Sequence, residues 1–350
     1  MSNAAERDVP ERAELSRLRA RLPASAFARR PDKCGYALIH GSLFWTTLIV
    51  ARRVDAAPLL LLMSMVAGHS LFCLALFAHE LSHGSVLAEG ASRRALETLC
   101  WGSNLIAPSV WHGVHNRAHH RHASTAGDPD RPFLVSERRA ATRAYTLLFY
   151  PGSDCRWNPG IYFHFLPYVA KHTLAALLGP KLRLACVPGE ARFSDSERKR
   201  ILAELVLVAA IQVAEFAVVG RLERYLLLGL LPLLCSSAFV MAYVFTNHFL
   251  RPVMARAHPV LGTTSVAVPR SLDWLHLNFS YHTEHHCFPS MDSRYAPALS
   301  KLLSSHFGSD YQRIPFATAW RLLWQREAFA AAPPAFAAGT AKSSERKHRR

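Results

Sequence analysis

Residues 58–83 read PLLLLMSMVAGHSLFCLALFAHELSH, an apolar run over 58–77 followed at once by two histidines four apart, His79 and His83. A helix of about 20 apolar residues crosses a hydrocarbon core of about 30 Å. Residues four apart share a helix face, so this pair can hold one metal ion at the end of such a helix. The stretch therefore predicts a membrane span that delivers a metal-binding pair to one face of the bilayer.

Working outward, 36–50, 201–220 and 225–245 are further apolar runs in a chain of 350 residues that is 50% hydrophobic. Arg52 and Arg53 fall between the first two runs, and Arg221 and Arg224 between the last two, so the four runs pair as two tight helical hairpins. Stretches 99–110 and 161–178 read as interfacial pieces. The second holds His164, Lys171 and His172, which are costly at a bilayer centre. Glu215 inside the third run is expected to pair with a neighbouring helix.

The formal net charge is +16, and the basic residues crowd the segments that flank the apolar runs, as in Arg17, Arg19, Arg21, Arg29, Arg30 and Lys33. That placement follows the positive-inside rule and sets both termini and the middle segment on the cytoplasmic side. No zinc finger, RNA-recognition or basic-zipper pattern accompanies the charge, so a nucleic-acid partner is not expected. Seven cysteines stand singly, without paired zinc or redox spacing, and are read as reduced and structural. No cleavable signal peptide is evident. The organisation expected is a basic cytoplasmic segment over 1–33, a membrane domain over 34–331 and a disordered basic tail over 332–350.

Two more clusters follow the first: His115, His119 and His120 in HNRAHH, and His282, His285 and His286 in HTEHH. On α-helices His115 would share a face with His119, and His282 with His286, while the second member of each doublet sits about 100° around and reaches a neighbouring metal. The doublets thus favour a dinuclear centre. Imidazole suits iron, zinc and copper alike. One hairpin separates the first two clusters from the third, so an even number of crossings returns all three to one face. The expected fold is an all-α membrane protein of two hairpins, capped by a cytoplasmic helical domain that holds two metals. His40, His69, His164, His172, His258, His276 and His306 lack cluster spacing and are read as structural.

HELSHG at the end of a span, HNRAHHRHASTAGDPD, and YHTEHHCFPSM followed by RYAPAL together resemble the membrane fatty acid desaturases, in their bacterial branch. The resemblance runs over about 36–326 and is most specific at the third box. It implies two iron ions, O2 as co-substrate, and desaturation of a fatty acyl lipid or acyl thioester in a bacterial inner membrane. By the same resemblance His79, His83, His115, His119, His120, His282, His285 and His286 are metal ligands, with His248 at the end of the fourth run as a ninth. His112 and His122 flank the second box, and the choice there falls on His115. The chain has no haem-binding, dinucleotide or ferredoxin pattern, so a separate electron donor of ferredoxin or cytochrome b5 type, with its reductase, is expected.

Three rivals stand beside this reading. A membrane di-iron hydroxylase or ketolase of a lipid, carotenoid or alkane would use the same ligands. HELSH also satisfies HExxH, which would make Glu80 the base of a zinc metalloprotease, at the cost of leaving the other clustered histidines without a task. A noncatalytic metal-binding membrane protein is the third.

Overall fold

A computed structural model describes residues 12–130, 140–153, 158–179 and 193–325. The expected tail over 332–350 lies outside the described residues, as do Cys155 and Cys186. Helix α1 (Arg12–Ala20) precedes α2 (Cys34–Ala51) and α3 (Ala57–Ser82), which form the first hairpin. Helix α4 (Ala91–Gly102) and α5 (Phe165–Leu178) belong to the middle segment. Helix α6 (Asp195–Val219) and α7 (Leu231–His248) carry the second hairpin, and α8 (Arg270–Leu275), α9 (His282–Cys287) and α10 (Ala296–Phe307) follow it.

Among the described residues four helices are long and apolar enough to cross a membrane: Pro31–Ala51, Ala57–Ser82, Asp195–Val219 and Leu222–His248. Each runs past the apolar stretch that announces it, because polar residues at the ends continue the same helix. At the start of α6, Ser194 accepts from the Glu197 amide and the Glu197 carboxylate accepts from the Ser194 amide, a capping box that begins the helix six residues before its apolar part. Gly220 closes it with φ +85°, where a side chain would be strained. The apolar 165–178 piece forms a helix too short to span, as the sequence reading expects.

Helix α3 lies between α2 and α7 and makes its broadest packing with both. Its approach to α7 is close: a Cβ on Gly68 would come within 2.5 Å of the Cys235 Cβ and 2.8 Å of the Pro232 carbonyl. Small residues bring membrane helices together in this way, since van der Waals contact replaces the hydrophobic drive that lipid does not supply. The outward faces are apolar, with Leu38, Ile39, Val206 and Val213 each about two-thirds exposed. At one end of the bundle the two hairpin turns are tied together, the Arg224 guanidinium donating to the carbonyls of Arg52 (2.7 Å) and Val54 (3.0 Å) and pairing with Asp55. The histidine boxes occupy the other end.

Among the described residues two three-residue strands lie near the boxes, Ser265–Ala267 and Arg313–Pro315, which pair in parallel with Ser265 opposite Arg313. They add a small sheet to an otherwise all-α fold. A second apolar cluster places Leu18, Leu22 and Ala26 against Leu299 and Leu303 of α10. Glu215 is 1% exposed, and its Oε1 has no hydrogen-bond partner among the described residues, so the expected interhelical pairing of that oxygen is not found.

Candidate metal centre

His79 lies in the last turn of α3 and His83 caps the helix. The second box departs from the expected winding, because 112–119 form a π-helix, with hydrogen bonds from i to i+5. The wider turn puts His115 over His120, their Nε2 atoms 3.2 Å apart, and rotates His119 to another side. The expected His115/His119 pair is therefore replaced by His115/His120. In α9, His282 and His286 share a face with Nε2 atoms 3.1 Å apart, and His285 turns away from them.

The nine histidines expected as ligands converge in two groups. His79, His83, His115, His120 and His285 bring one ring nitrogen each to within 4.8 Å of one another; His119, His248, His282 and His286 do the same. In the first group His79 Nε2 lies 3.0 Å from His115 Nε2, and His285 Nε2 3.1 Å from His120 Nε2. In the second, His282 Nε2 is 2.6 Å from His248 Nε2. The groups adjoin through His120 and His286, whose ring centroids are 4.5 Å apart.

These spacings fit shared metal ions. Two imidazoles bound about 2.1 Å from one ion, at about a right angle, have nitrogens about 3.0 Å apart. A ligand imidazole must also be neutral. Burial holds His83, His115, His120, His282, His285 and His286 well below the ordinary value of 6.5, and the neighbouring rings lower them further.

Residues that the histidine spacing does not announce hold the rings in place. His119 Nδ1 lies 2.8 Å from Asp128 Oδ1 and 3.2 Å from Asp130 Oδ2, which leaves its Nε2 for the second group. Asp128 in turn accepts from the amides of Ser124 (2.7 Å) and Asp130 (3.0 Å). Burial works to raise the Asp128 carboxyl, but the His119 ring and these amides outweigh it and hold it below its ordinary value. The signal for both acids was present as GDPD, residues 127–130, just after the second box. Trp111 stacks on His115 at 4.3 Å, and Phe279 packs against both His79 and His282. Beneath the third box, Glu284 accepts from Ser265 Oγ (2.6 Å) and from the Tyr311 hydroxyl, which fixes α9 on the small sheet.

His112 belongs to neither group; its Nε2 faces Glu97 Oε2 at 3.1 Å, and Glu97 also accepts from Arg93 Nε at 2.8 Å. Glu80 is bonded to Lys33 Nζ, which also pairs with Asp292 at 2.9 Å. The glutamate of HELSH is thus engaged in a structural ion-pair network in which Lys33 joins the second span to the segment after the third box.

A cavity opens on the histidines. His79, His115, His248 and His282, two from each group, form one side, and Ala75, Leu76, Phe165, Val240, Met241 and Val244 are among the residues of the remainder.

A membrane bundle of two hairpins, bearing two adjoining sets of imidazoles over an apolar cavity, defines a class of membrane metal-centre protein. The profile of one such family, described as Fatty acid desaturase, matches residues 56–318, well over half of the 350, and the chain belongs to that family. The family is one of di-iron membrane oxidoreductases and includes hydroxylases as well as desaturases. Comparison with curated proteins gave no match.

Proposed function

We propose that the protein is an O2-dependent desaturase that introduces a double bond into a lipid acyl chain, with two iron ions held by the nine histidines. The observation that carries this reading is the cavity: one space is bounded by histidines of both groups and, for most of its wall, by hydrocarbon and aromatic side chains. Such a wall accepts a methylene chain, and its shape sets which carbons lie beside the imidazoles, since the chain itself offers no polar handle there.

The bound irons would supply O2 binding and electron transfer. Overall, two adjacent methylenes, O2, two electrons and two protons give one alkene and two waters. This chain's part is to exclude bulk water from that space, to hold the imidazoles neutral, and to fix the His119 ring through Asp128. The electrons come from a separate donor of ferredoxin or cytochrome b5 type. The centre and both termini face the cytoplasm of a bacterial inner membrane, as the flanking basic residues support. The pairing of Glu80 with Lys33 speaks against a protease base at that position.

The test is fatty-acid profiling by mass spectrometry of aerobic cells that express the chain with a compatible donor, beside cells expressing His285→Ala. New monoenes or dienes that vanish in the variant are expected. Hydroxylated or keto products in their place would overturn desaturation in favour of the hydroxylase reading.

A further inference from the structure

The cavity is less apolar than a plain methylene chain requires. Trp101 and Trp111 line it as a close pair, ring centroids 4.2 Å apart, and neither indole Nε1 has a hydrogen-bond partner among the described residues. Trp101 is only 2% exposed. Buried indole N–H groups ordinarily find an acceptor, and leaving one without carries a desolvation penalty.

His164 lines the same space from the start of α5 and is 3% exposed. Its Nε2 shares a hydrogen bond of 2.9 Å with the Tyr145 hydroxyl, while its Nδ1 has no partner among the described residues. Burial, then the nearby Lys171 charge, hold this imidazole well below 6.5, so it is neutral. A neutral ring suits an uncharged oxygen rather than an anion. Tyr168 and Asp130 are further polar members of the wall, and Asp130 also reaches His119.

We propose that the substrate bears an uncharged oxygen, hydroxyl or carbonyl, inside the cavity, and that the indole N–H of Trp101 and Trp111 together with His164 Nδ1 recognise it. This rests on the reading of the cavity as the substrate site and names the substrate class more narrowly: an oxygen-bearing lipid chain, fixed by that atom relative to the histidines. Such a contact supplies the polar handle that methylenes lack and sets the register of the chain. Two sources share the chemistry, the carbonyl of an acyl ester and a hydroxyl along the chain.

The test is binding, independent of turnover. Metal-loaded full-length protein in nanodiscs is equilibrated with radiolabelled octadecane, competed by unlabelled octadecane, by methyl octadecanoate or by a secondary octadecanol with its hydroxyl at mid-chain. At least one oxygen-bearing ligand is expected to bind about tenfold tighter than the alkane, the scale of one well-made hydrogen bond. The ester and the alcohol arms tell the two sources apart. His164→Phe or Trp101→Phe should cut that preference to about threefold or less, and His164→Gln should keep most of it, each at unchanged metal content. Affinities within about twofold of one another in the wild-type protein overturn the inference, and that comparison needs no variant to fold. Equal affinities together with O2-dependent monoene formation would remove this inference alone. A retained preference with hydroxylated products would remove the desaturase reading instead.

Discussion

His115 and His120, five residues apart, bring their Nε2 atoms to 3.2 Å because 112–119 are wound as a π-helix. An α-helix would have paired His115 with His119 and sent His120 to the neighbouring ion. On the proposed ligand set the winding decides which histidines share a metal, and that is measurable. His115→Ala/His120→Ala removes two ligands from one group and should leave about one metal per chain, while His115→Ala/His119→Ala injures both groups and should leave well under one. Metal analysis by mass spectrometry on purified variants checks this; equal losses in the two would contradict the pairing.

Asp128→Asn keeps the shape of the side chain but removes the charge that orients His119. Loss of such an outer partner typically costs about 10–100-fold in metal affinity. The loss is expected for one ion of the two, the other titrating as in the wild-type protein. Competition with a chelator reads both constants.

Glu80→Gln separates the structural from the catalytic role of the HELSH glutamate. With Lys33 still held by Asp292 (2.9 Å), the variant should lose about 1–3 kcal/mol of stability yet keep two metals and its lipid product. Abolished product with full metal content and unchanged Tm would restore Glu80 to the chemistry.

Stability should also fall on the acid side through Glu97. Burial works to raise this carboxyl, but His112 and Arg93 outweigh it and hold it below the ordinary value of 4.5. A depressed carboxyl binds its proton more readily in the unfolded chain, so its contribution is fully present above 4.5 and is lost as pH falls below. The Tm difference between wild-type protein and Glu97→Gln, measured at neutral pH and again below 4.5, should therefore shrink toward acid.

Gly68→Leu tests the bundle. The Cβ alone would meet Cys235 at 2.5 Å and the Pro232 backbone at 2.8 Å, so α3 and α7 must separate. A loss of about 1–3 kcal/mol is expected from overpacking. His79 rides on α3 and His248 on α7, so metal content should drop with it.

Much of this was readable from composition and spacing. Apolar length found the four spans, and histidine spacing found eight of the nine converging rings, because both are periodic signals carried by neighbouring residues; His248 stands alone in sequence and came from the family resemblance. What escaped was non-local or conformational. The π-winding of 112–119 has no residue pattern of its own, so the division of the second box between two ions was expected but which of its histidines fall together could not be foreseen. Lys33 lies 47 residues before Glu80 and far from Asp292 in sequence, so their joining is a fact of packing alone. The helix ends overran the apolar runs at Asp195 and His248 because capping and continuation are set by polar residues that hydropathy discounts.

The division of ligands also has a direction in time. Four of the five imidazoles in the first group, His79, His83, His115 and His120, are in the chain by residue 120, before the second hairpin is made. The second group then has only His119 and waits for His248, His282 and His286. On the ribosome the two halves of the centre are therefore born unequal: one is nearly complete while about two-thirds of the protein is still unmade, and the other gains three of its four rings only later.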